Sequence, residues 1–269
     1  MVDLAQYGPW AVIAGGSEGV GRAFAAELAD AGVNLVLIAR KPEALAGAAA
    51  DMEQRGVAVR TLSIDLTQGD APARIATLTA DLDVGLLIYN AGANTYGSDF
   101  VTGDLAGFDQ VIRLNITTPL AVVHHYGAAM KEAGRGGILL VGSLSGYLGG
   151  KTLSVYSGVK AFSRSFAESL WLELQPYGVD VLELILGVTR TPAMQRAGLD
   201  FAVPGLHVSV PEEVAREGLS RLKDGPTWIV AGNADRAKLM SGANRAELLL
   251  AQQRAMEQLL ARTPRQDLA

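Results

Sequence analysis

The chain has 269 residues, of which 49% are hydrophobic and 19% are charged, enough material for one large α/β domain with a sizeable core. Its 23 basic and 28 acidic residues give a formal net charge of −5, a balance that argues against a nucleic-acid partner, which would need a basic stripe. Cysteine is absent, which excludes disulfides and thiolate metal sites, and we expect no bound metal. The N-terminal segment MVDLAQYGPW lacks signal-peptide features, and no apolar run approaches the roughly 20 residues of a membrane helix. We therefore expect a soluble, cytoplasmic protein without a membrane partner.

Short β-rich runs alternate with longer helical segments along the chain. Strands are predicted at 10–15, 34–40, 58–64, 84–92, 137–143, 179–186 and 227–232. Helices are predicted at 20–31, 42–55, 70–81, 105–133, 154–177 and 211–223. Several strands are continuously apolar, as expected for parallel strands covered on both faces. The alternation predicts an α/β fold, a doubly wound parallel sheet of Rossmann type with helices on both faces.

The remaining segments fit one domain that spans residues 1–269, since no repeat, low-complexity tract or linker interrupts the chain. Residues 191–210 are punctuated by proline and glycine and are predicted to form a flap over the substrate. Residues 235–263 have a helical composition and are predicted to form a C-terminal tail that packs on the body or on a partner.

The segment AGGSEGVG (14–21) follows the first strand and opens the first helix. Its glycines Gly15, Gly19 and Gly21 let the backbone approach a pyrophosphate closely, and the helix N-terminus offers free N–H groups and a positive dipole. The alternative is a turn that serves only sheet–helix packing. In this strand–turn–helix context the segment predicts a phosphate-binding loop.

The end of the second strand indicates which dinucleotide is preferred. An NAD-selective site usually carries an acidic residue there, but this sequence has Ala39, Arg40 and Lys41. The guanidinium of Arg40 can pair with a 2′-phosphate through its planar set of donors, although it is alternatively a solvated charge at a helix start. The pattern predicts NADP, and NAD remains an alternative because Glu18 lies in the glycine loop.

Seven short motifs in this order resemble those of the short-chain dehydrogenase/reductase family, in the branch whose chains are close to this one in length. The likeness covers roughly residues 8–235, and Ser143 precedes Tyr156 by thirteen residues, the family's usual interval. The motifs are AGGSEGVG (14–21), IDLT (64–67), NAGA (90–93), LNITTP (114–119), VGSLSG (141–146), YSGVK (156–160) and GVTRTP (187–192). One such motif would be weak, but seven at the expected strand ends are specific.

The resemblance implies an NAD(P)-dependent oxidoreductase with a four-residue catalytic set of Asn115, Ser143, Tyr156 and Lys160. Cofactor contacts are implied in the glycine loop and at the ends of the strands that follow. They comprise Gly15, Ser17, Glu18, Gly19, Val20, Gly21 and Arg40, then Asp65 and Leu66 at the adenine, and Asn90, Ala91 and Gly92 beside the adenosine. At the nicotinamide end they comprise Tyr156 and Lys160 at the ribose, with Val188, Thr189 and Thr191.

Two positions depart from the family pattern. Ala14 stands where threonine is usual, and Leu186 replaces the proline that normally precedes Gly187. The second departure makes the backbone on the nicotinamide side less securely predicted. Neither departure touches the catalytic set.

The chemistry explains why these residue types would be needed together. Reduction of a ketone requires a hydride on carbon, which a nicotinamide supplies, and a proton on oxygen, which the protein supplies. Lys160 lies one helical turn after Tyr156, so we expect its ammonium to lower the pKa of the phenol from about 10. Ser143 would hold the substrate oxygen. By resemblance, Asn115 would hold a water that links Lys160 to solvent. Each residue alone is explained by packing, a turn or a surface charge, whereas the set predicts catalysis.

The sequence thus predicts an NADP(H)-dependent enzyme that interconverts a ketone and a secondary alcohol, with a hydrophobic or bulky substrate. The pocket is predicted to be lined by Asn94, Tyr96, Leu144, Ser145, Tyr147, Leu148 and Leu153, and covered by Met194, Phe201 and Leu206. The alternatives are an NAD-dependent alcohol dehydrogenase and a non-catalytic protein that senses dinucleotides. The resemblance also implies a homodimer or homotetramer, associated through the helices that match 105–133 and 154–177.

Overall fold

The computed structural model describes residues 4–203 and 205–262. Residues 1–3 and 263–269 of the predicted domain, residue 204 of the predicted flap and residue 263 of the predicted tail lie outside the described residues.

A seven-stranded parallel sheet forms the centre of the molecule, which confirms the predicted fold class. Its strand order is β3-β2-β1-β4-β5-β6-β9. The strands are β1 (Trp10–Ala14), β2 (Asn34–Ala39), β3 (Val59–Ser63), β4 (Val84–Tyr89), β5 (Gly136–Ser143), β6 (Val179–Leu186) and β9 (Thr227–Ile229). The order reverses between β1 and β4, and ligands of such sheets bind in the crevice outside the carboxyl ends at this point.

Helices cover both faces because alternate residues of each buried strand point to opposite sides. Ile13 and Leu37 face the layer that contains α1 and α8, whereas Val12 and Ile38 face the layer that contains α5 and α6. The helices are α1 (Gly19–Asp30), α2 (Pro42–Glu53), α3 (Ala71–Leu78), α4 (Leu105–Ile112), α5 (Thr118–Ala133), α6 (Ser154–Leu174), α7 (Pro192–Arg196), α8 (Pro211–Ser220), α9 (Ala234–Met240) and α10 (Arg245–Arg262).

The helical segment predicted at 105–133 has the predicted bounds, but it is not one regular helix, because α4 and α5 are joined by a π-helical turn, Arg113–Thr117. The N–H of Thr118 donates to the carbonyl of Arg113, five residues earlier. Pro119 has no N–H to donate to Asn115, four residues earlier, so the regular α pattern fails at this point. Such π-bulges occur often at functional sites, and this one places Asn115 at the sheet edge.

The strand predicted at 84–92 ends earlier, at Tyr89, because the chain turns toward the glycine loop. The N–H groups of Asn90 and Ala91 both donate to the carbonyl of Ala14, at 3.0 and 2.8 Å. Strand β9 likewise ends at Ile229 rather than at 232. The segment after Tyr89 is therefore a loop at the carboxyl edge, where it can form part of a site.

The flap and the tail both contain regular structure. A two-stranded parallel sheet joins β7 (Val188–Thr189) to β8 (Val208–Ser209), and α7 lies between them in the flap. The tail consists of α9 and α10, and Ala237 and Met240 of α9 are buried against the body. Within residues 4–203 and 205–262, no helix combines the length and the apolar character needed to cross a membrane.

Candidate active site

The glycine loop forms a tight cradle between β1 and α1. Gly15 has a φ of 84°, and a Cβ atom there would lie 2.9 Å from the N of Ala91. A Cβ on Gly21 would lie only 1.9 Å from the carbonyl oxygen of Gly15. Since α1 begins at Gly19, its free N–H groups point toward the space beside this loop. The cradle therefore fits the pyrophosphate of a dinucleotide.

The residues expected at the adenosine end are held in place by their own hydrogen bonds. The Asp65 carboxylate accepts from the N–H and the hydroxyl of Thr67, both at 2.9 Å. The Leu66 carbonyl accepts from the Thr118 hydroxyl at 2.6 Å. The Asn90 amide donates to the carbonyl of Gly15 at 3.0 Å, so its side chain braces the glycine loop.

Positive charge is concentrated around the predicted ribose position. Arg40 is exposed after β2, and Arg196 of α7 forms an ion pair with Glu18 of the glycine loop. The hydrogen bond from Arg196 lowers the pKa of the Glu18 carboxyl, and the charges of Lys41 and Arg40 lower it further. Three cations thus act on one carboxylate, which leaves a local excess of positive charge beside the glycine loop.

The base of the flap lies against the glycine loop at the nicotinamide end. A Cβ on Gly19 would lie 3.1 Å from Cγ2 of Thr191, and the Thr191 hydroxyl accepts from the N–H of Met194 at 3.2 Å. Val188 and Thr189 form β7. After Leu186, where the family has proline, Gly187 is packed so closely that a Cβ would lie 2.0 Å from the Asn233 side-chain oxygen. These contacts fix the backbone there without the proline.

Three members of the predicted catalytic set come together where β5 meets α6. Ser143 ends β5, and its hydroxyl oxygen accepts from the N–H of Ser145 at 3.1 Å, which leaves its proton free to donate. Tyr156 and Lys160 share a face of α6. The Lys160 ammonium donates to the carbonyl of Val141 at 2.9 Å and lies 5.9 Å from the centroid of the Tyr156 ring.

Asn115 reaches the same site from the π turn. Its side-chain N–H donates to the carbonyls of Val111 and Ala93, at 2.9 and 3.2 Å. Its buried side-chain oxygen has no hydrogen-bond partner within residues 4–203 and 205–262. A Cβ on Gly92 would lie 2.8 Å from Nζ of Lys160 and 2.9 Å from that oxygen. A cavity of about 20 Å³ lined by Asn115 and Lys160 adjoins them, enough for one water molecule.

Burial controls the ionisation of the two central groups. It lowers the pKa of Lys160 to about 8, although the charge of Glu183 opposes this change. Burial also raises the pKa of the Tyr156 phenol. The Ser143 hydroxyl lies near enough to oppose that rise in part, although the two hydroxyls do not meet hydrogen-bond geometry. The expected lowering of the Tyr156 pKa is thus wrong for the protein alone, because desolvation by burial is the largest influence on the phenol.

The pocket differs from the predicted one on two sides. Leu144 and Leu148 are buried in a cluster with Met240 of α9, so they support the wall rather than line it. The Tyr96 hydroxyl accepts from the N–H of Asp104 at 2.8 Å, and its ring packs edge-on against Phe108 of α4. The half-buried lining candidates that remain are Asn94, Ser145, Tyr147 and Leu153, and the flap adds Met194, Phe201 and Leu206.

Three side chains near the site were not predicted. Arg196 and Asn233 are common surface and loop residues in the sequence, and only the fold brings them to Glu18 and Gly187. Glu183 could have been found from the sequence, because it is a carboxylate within the otherwise apolar second half of VDVLELIL. A buried strand position seldom tolerates such a group without a reason.

Comparisons with known proteins agree with this geometry. Residues 9–200 match the family model of the short chain dehydrogenases. The chain is 34% identical over 235 residues to a 7beta-hydroxysteroid dehydrogenase of Clostridium sardiniense, across 87% of this chain and 89% of that one. A solved structure from a study of 7beta-hydroxysteroid dehydrogenase stereoselectivity is similar with a TM-score of 0.85 and 27% identity, across 93% of this chain and 99% of that one.

A short-chain dehydrogenase from Sphingobium yanoikuyae, solved in complex with NADPH, has a TM-score of 0.76 and 29% identity, across 97% of this chain and 98% of that one. The matched family binds NAD(P), and the glycine cradle of this chain fits that group. The chain therefore belongs to the short-chain dehydrogenase/reductase family and is an oxidoreductase that acts on CH–OH and C=O groups.

Proposed function

We propose that the protein is an NADP(H)-dependent reductase of bulky, hydrophobic ketones, with Tyr156 as the proton donor. The observation that carries this proposal is the meeting of Ser143, Tyr156 and Lys160 beside a cradle that fits a dinucleotide. A phenol whose pKa is raised by burial stays protonated at neutral pH, as an acid catalyst for reduction must be. The alternative is an NAD-dependent alcohol dehydrogenase that works toward oxidation.

The protein's own residues divide the proton chemistry among them. The Ser143 hydroxyl donates to the substrate oxygen and orients it, and Tyr156 gives this oxygen its proton. The Lys160 ammonium stabilises the phenolate that remains. Asn115 and the adjoining cavity can hold a water that returns the proton. When bound, the reduced nicotinamide supplies the hydride to the carbonyl carbon.

We expect Arg40→Ala to raise the KM for NADP by about 10- to 100-fold and to change the KM for NAD little. The reason is that hydrogen bonds to a charged group contribute about 1.5–3 kcal/mol, and only NADP has the 2′-phosphate. Steady-state kinetics with both cofactors measures this effect, with Arg74→Ala on α3 as the control at an exposed arginine. An unchanged KM for NADP would favour the NAD-dependent alternative.

We expect the kcat/KM for lipophilic ketones of steroid size to exceed that for short charged keto acids by at least about tenfold. The lining predicted near Tyr156 includes Tyr147, Leu153 and Met194, and each buried methylene of a substrate contributes about 0.8 kcal/mol. The related 7beta-hydroxysteroid dehydrogenase supports a substrate of this size. The rates of NADPH oxidation with a panel of ketones measure this order of preference. A preference for the keto acids would overturn the proposed substrate class.

We also propose a homodimer or homotetramer that associates through α6 and through α4 and α5, the helices of residues 105–133. Exposed apolar side chains on these helices support it, because Leu105, Phe162 and Leu172 are 70%, 40% and 64% exposed. The cytoplasmic location stays a prediction from the sequence.

A further inference from the structure

A carboxylate lies buried in the middle of the sheet, beneath the helix that carries the catalytic tyrosine and lysine. Glu183 of β6 is 1% exposed. It pairs in register with Leu140 of β5, so its side chain faces the α6 layer together with Leu140 and Gly142. A Cβ on Gly142 would lie 2.7 Å from the carboxyl carbon and from Oε1. The glycine therefore makes the room that the carboxyl occupies.

The Glu183 carboxyl lacks a close partner within the part of the chain that the structure describes. Neither oxygen has a hydrogen-bond partner among the residues that the structure describes, and no ion pair of 4.0 Å or less reaches it in that part of the chain. Ser163 of α6 is near enough to favour the charged form, although its hydroxyl does not meet hydrogen-bond geometry. An ionised carboxyl without a compensating charge is costly in such a site. A buried carboxylate at this position therefore needs a compensating positive charge nearby.

The charges that act on Glu183 all come from α6. Lys160 and Arg164 favour its ionised form, and Glu168 disfavours it. On the flanking strands, the paired positions hold Leu140 of β5 and Thr227 of β9, which carry no charge. Lys160 is buried, whereas Glu168 is exposed to solvent, where its charge is screened. The Lys160 ammonium is therefore the buried cation that this carboxylate can balance.

We propose that Glu183 is a positioning residue of the active site, whose buried carboxylate keeps the Lys160 amine in its charged form so that it can support Tyr156. The inference rests on the proposed roles of Tyr156 and Lys160. Glu183 is buried within β6, so it acts on Lys160 through the protein interior, where low polarity strengthens electrostatic interactions.

The directions of the pKa shifts set the expected pH dependence. Burial raises the pKa of Glu183 to about 7 and lowers that of Lys160 to about 8, while each group's charge favours the charged form of the other. Without the carboxylate, Lys160 loses its proton at lower pH. Loss of the Lys160 charge removes the support for the phenolate and so reduces the rate of ketone reduction on the alkaline side.

The test is the pH profile of kcat for ketone reduction, with NADPH saturating, in Glu183→Gln. We expect the alkaline limb to move about one pH unit toward acid, with a smaller change in the KM for the ketone. Glu168→Gln, at an exposed carboxylate of α6, is the control and should leave the limb unchanged. An unmoved limb in Glu183→Gln would overturn the inference, whereas an active Tyr156→Phe enzyme would overturn the proposed function instead.

A readout independent of activity is thermal stability between pH 5 and 7. The folded pKa of Glu183 lies above its unfolded value, so the stability that it contributes below the unfolded pKa is lost as pH rises through the folded pKa. The Tm of Glu183→Gln, relative to the unmodified protein, should therefore rise by several degrees across this range. If Glu183→Gln folds poorly, Glu183→Leu should show the same rise in Tm relative to the unmodified protein. A constant Tm difference for both variants would contradict a buried, titrating Glu183.

Discussion

Tyr156→Phe is expected to lower kcat for ketone reduction by about 1,000-fold, within the range that a positioned general acid contributes. The substitution removes only the hydroxyl, while the ring keeps its place on α6 beside the Lys160 amine, 5.9 Å from the ring centroid. Binding of NADPH should change little, because the glycine cradle and the basic cluster around Arg40 are untouched. Steady-state kinetics and a cofactor titration of the same preparation measure the two effects.

Tyr177→Phe is the matched control, because Tyr177 is 45% exposed, follows α6 in the chain and packs against Lys131. It should retain nearly full activity. If Tyr156→Phe kept a kcat within a few-fold of the unmodified enzyme, Tyr156 would not be the proton donor, and another acid would have to be sought in the pocket.

Lys160→Met is expected to lower kcat by about 100-fold and to raise the KM for the cofactor. At the observed 5.9 Å from the phenol ring, a unit charge stabilises the developing phenolate by about 2.8 kcal/mol at an effective dielectric constant of about 20. That energy corresponds to about two powers of ten in rate. Methionine keeps much of the side chain's length and apolar contact, so the charge is the main loss.

The control for this variant is Lys223→Met, at an exposed lysine after α8, which should leave kinetics unchanged. A further mark of the charge effect is its pH dependence. The unmodified enzyme should lose this support as pH rises past about 8, where Lys160 gives up its proton, whereas Lys160→Met should lack that step. A Lys160→Met enzyme with normal kcat and the same alkaline step would exclude Lys160 as the cation.

Much of the fold follows from patterns that local physics enforces. Continuous apolar runs such as LVLI in β2 are typical of parallel strands covered on both faces, and β6 has the predicted bounds, 179–186. The interruption at Arg113–Thr117 was missed because a π turn leaves the helical periodicity almost intact. Pro119 could have indicated the interruption, since it has no N–H to donate to the Asn115 carbonyl four residues earlier.

The site could be predicted only as far as spacing along one element allows. Tyr156 and Lys160 share a helix face, so their proximity follows from a separation of four residues. No such rule predicts the contact between Glu18 and Arg196, because 178 residues separate them along the chain. The predicted direction of the Tyr156 pKa shift was wrong because burial, the largest influence on this phenol, depends on packing that the sequence does not specify.

The most direct test of the proposed mechanism is a crystal structure with NADPH and a slowly reduced bulky ketone. We expect the ketone oxygen within about 2.6–3.2 Å of both the Ser143 and the Tyr156 hydroxyl oxygens, the range of catalytic hydrogen bonds. The Lys160 amine should lie between the phenol and the nicotinamide ribose. A ketone oxygen bound away from Tyr156, with the Lys160 amine still directed only at the Val141 carbonyl, would contradict the mechanism.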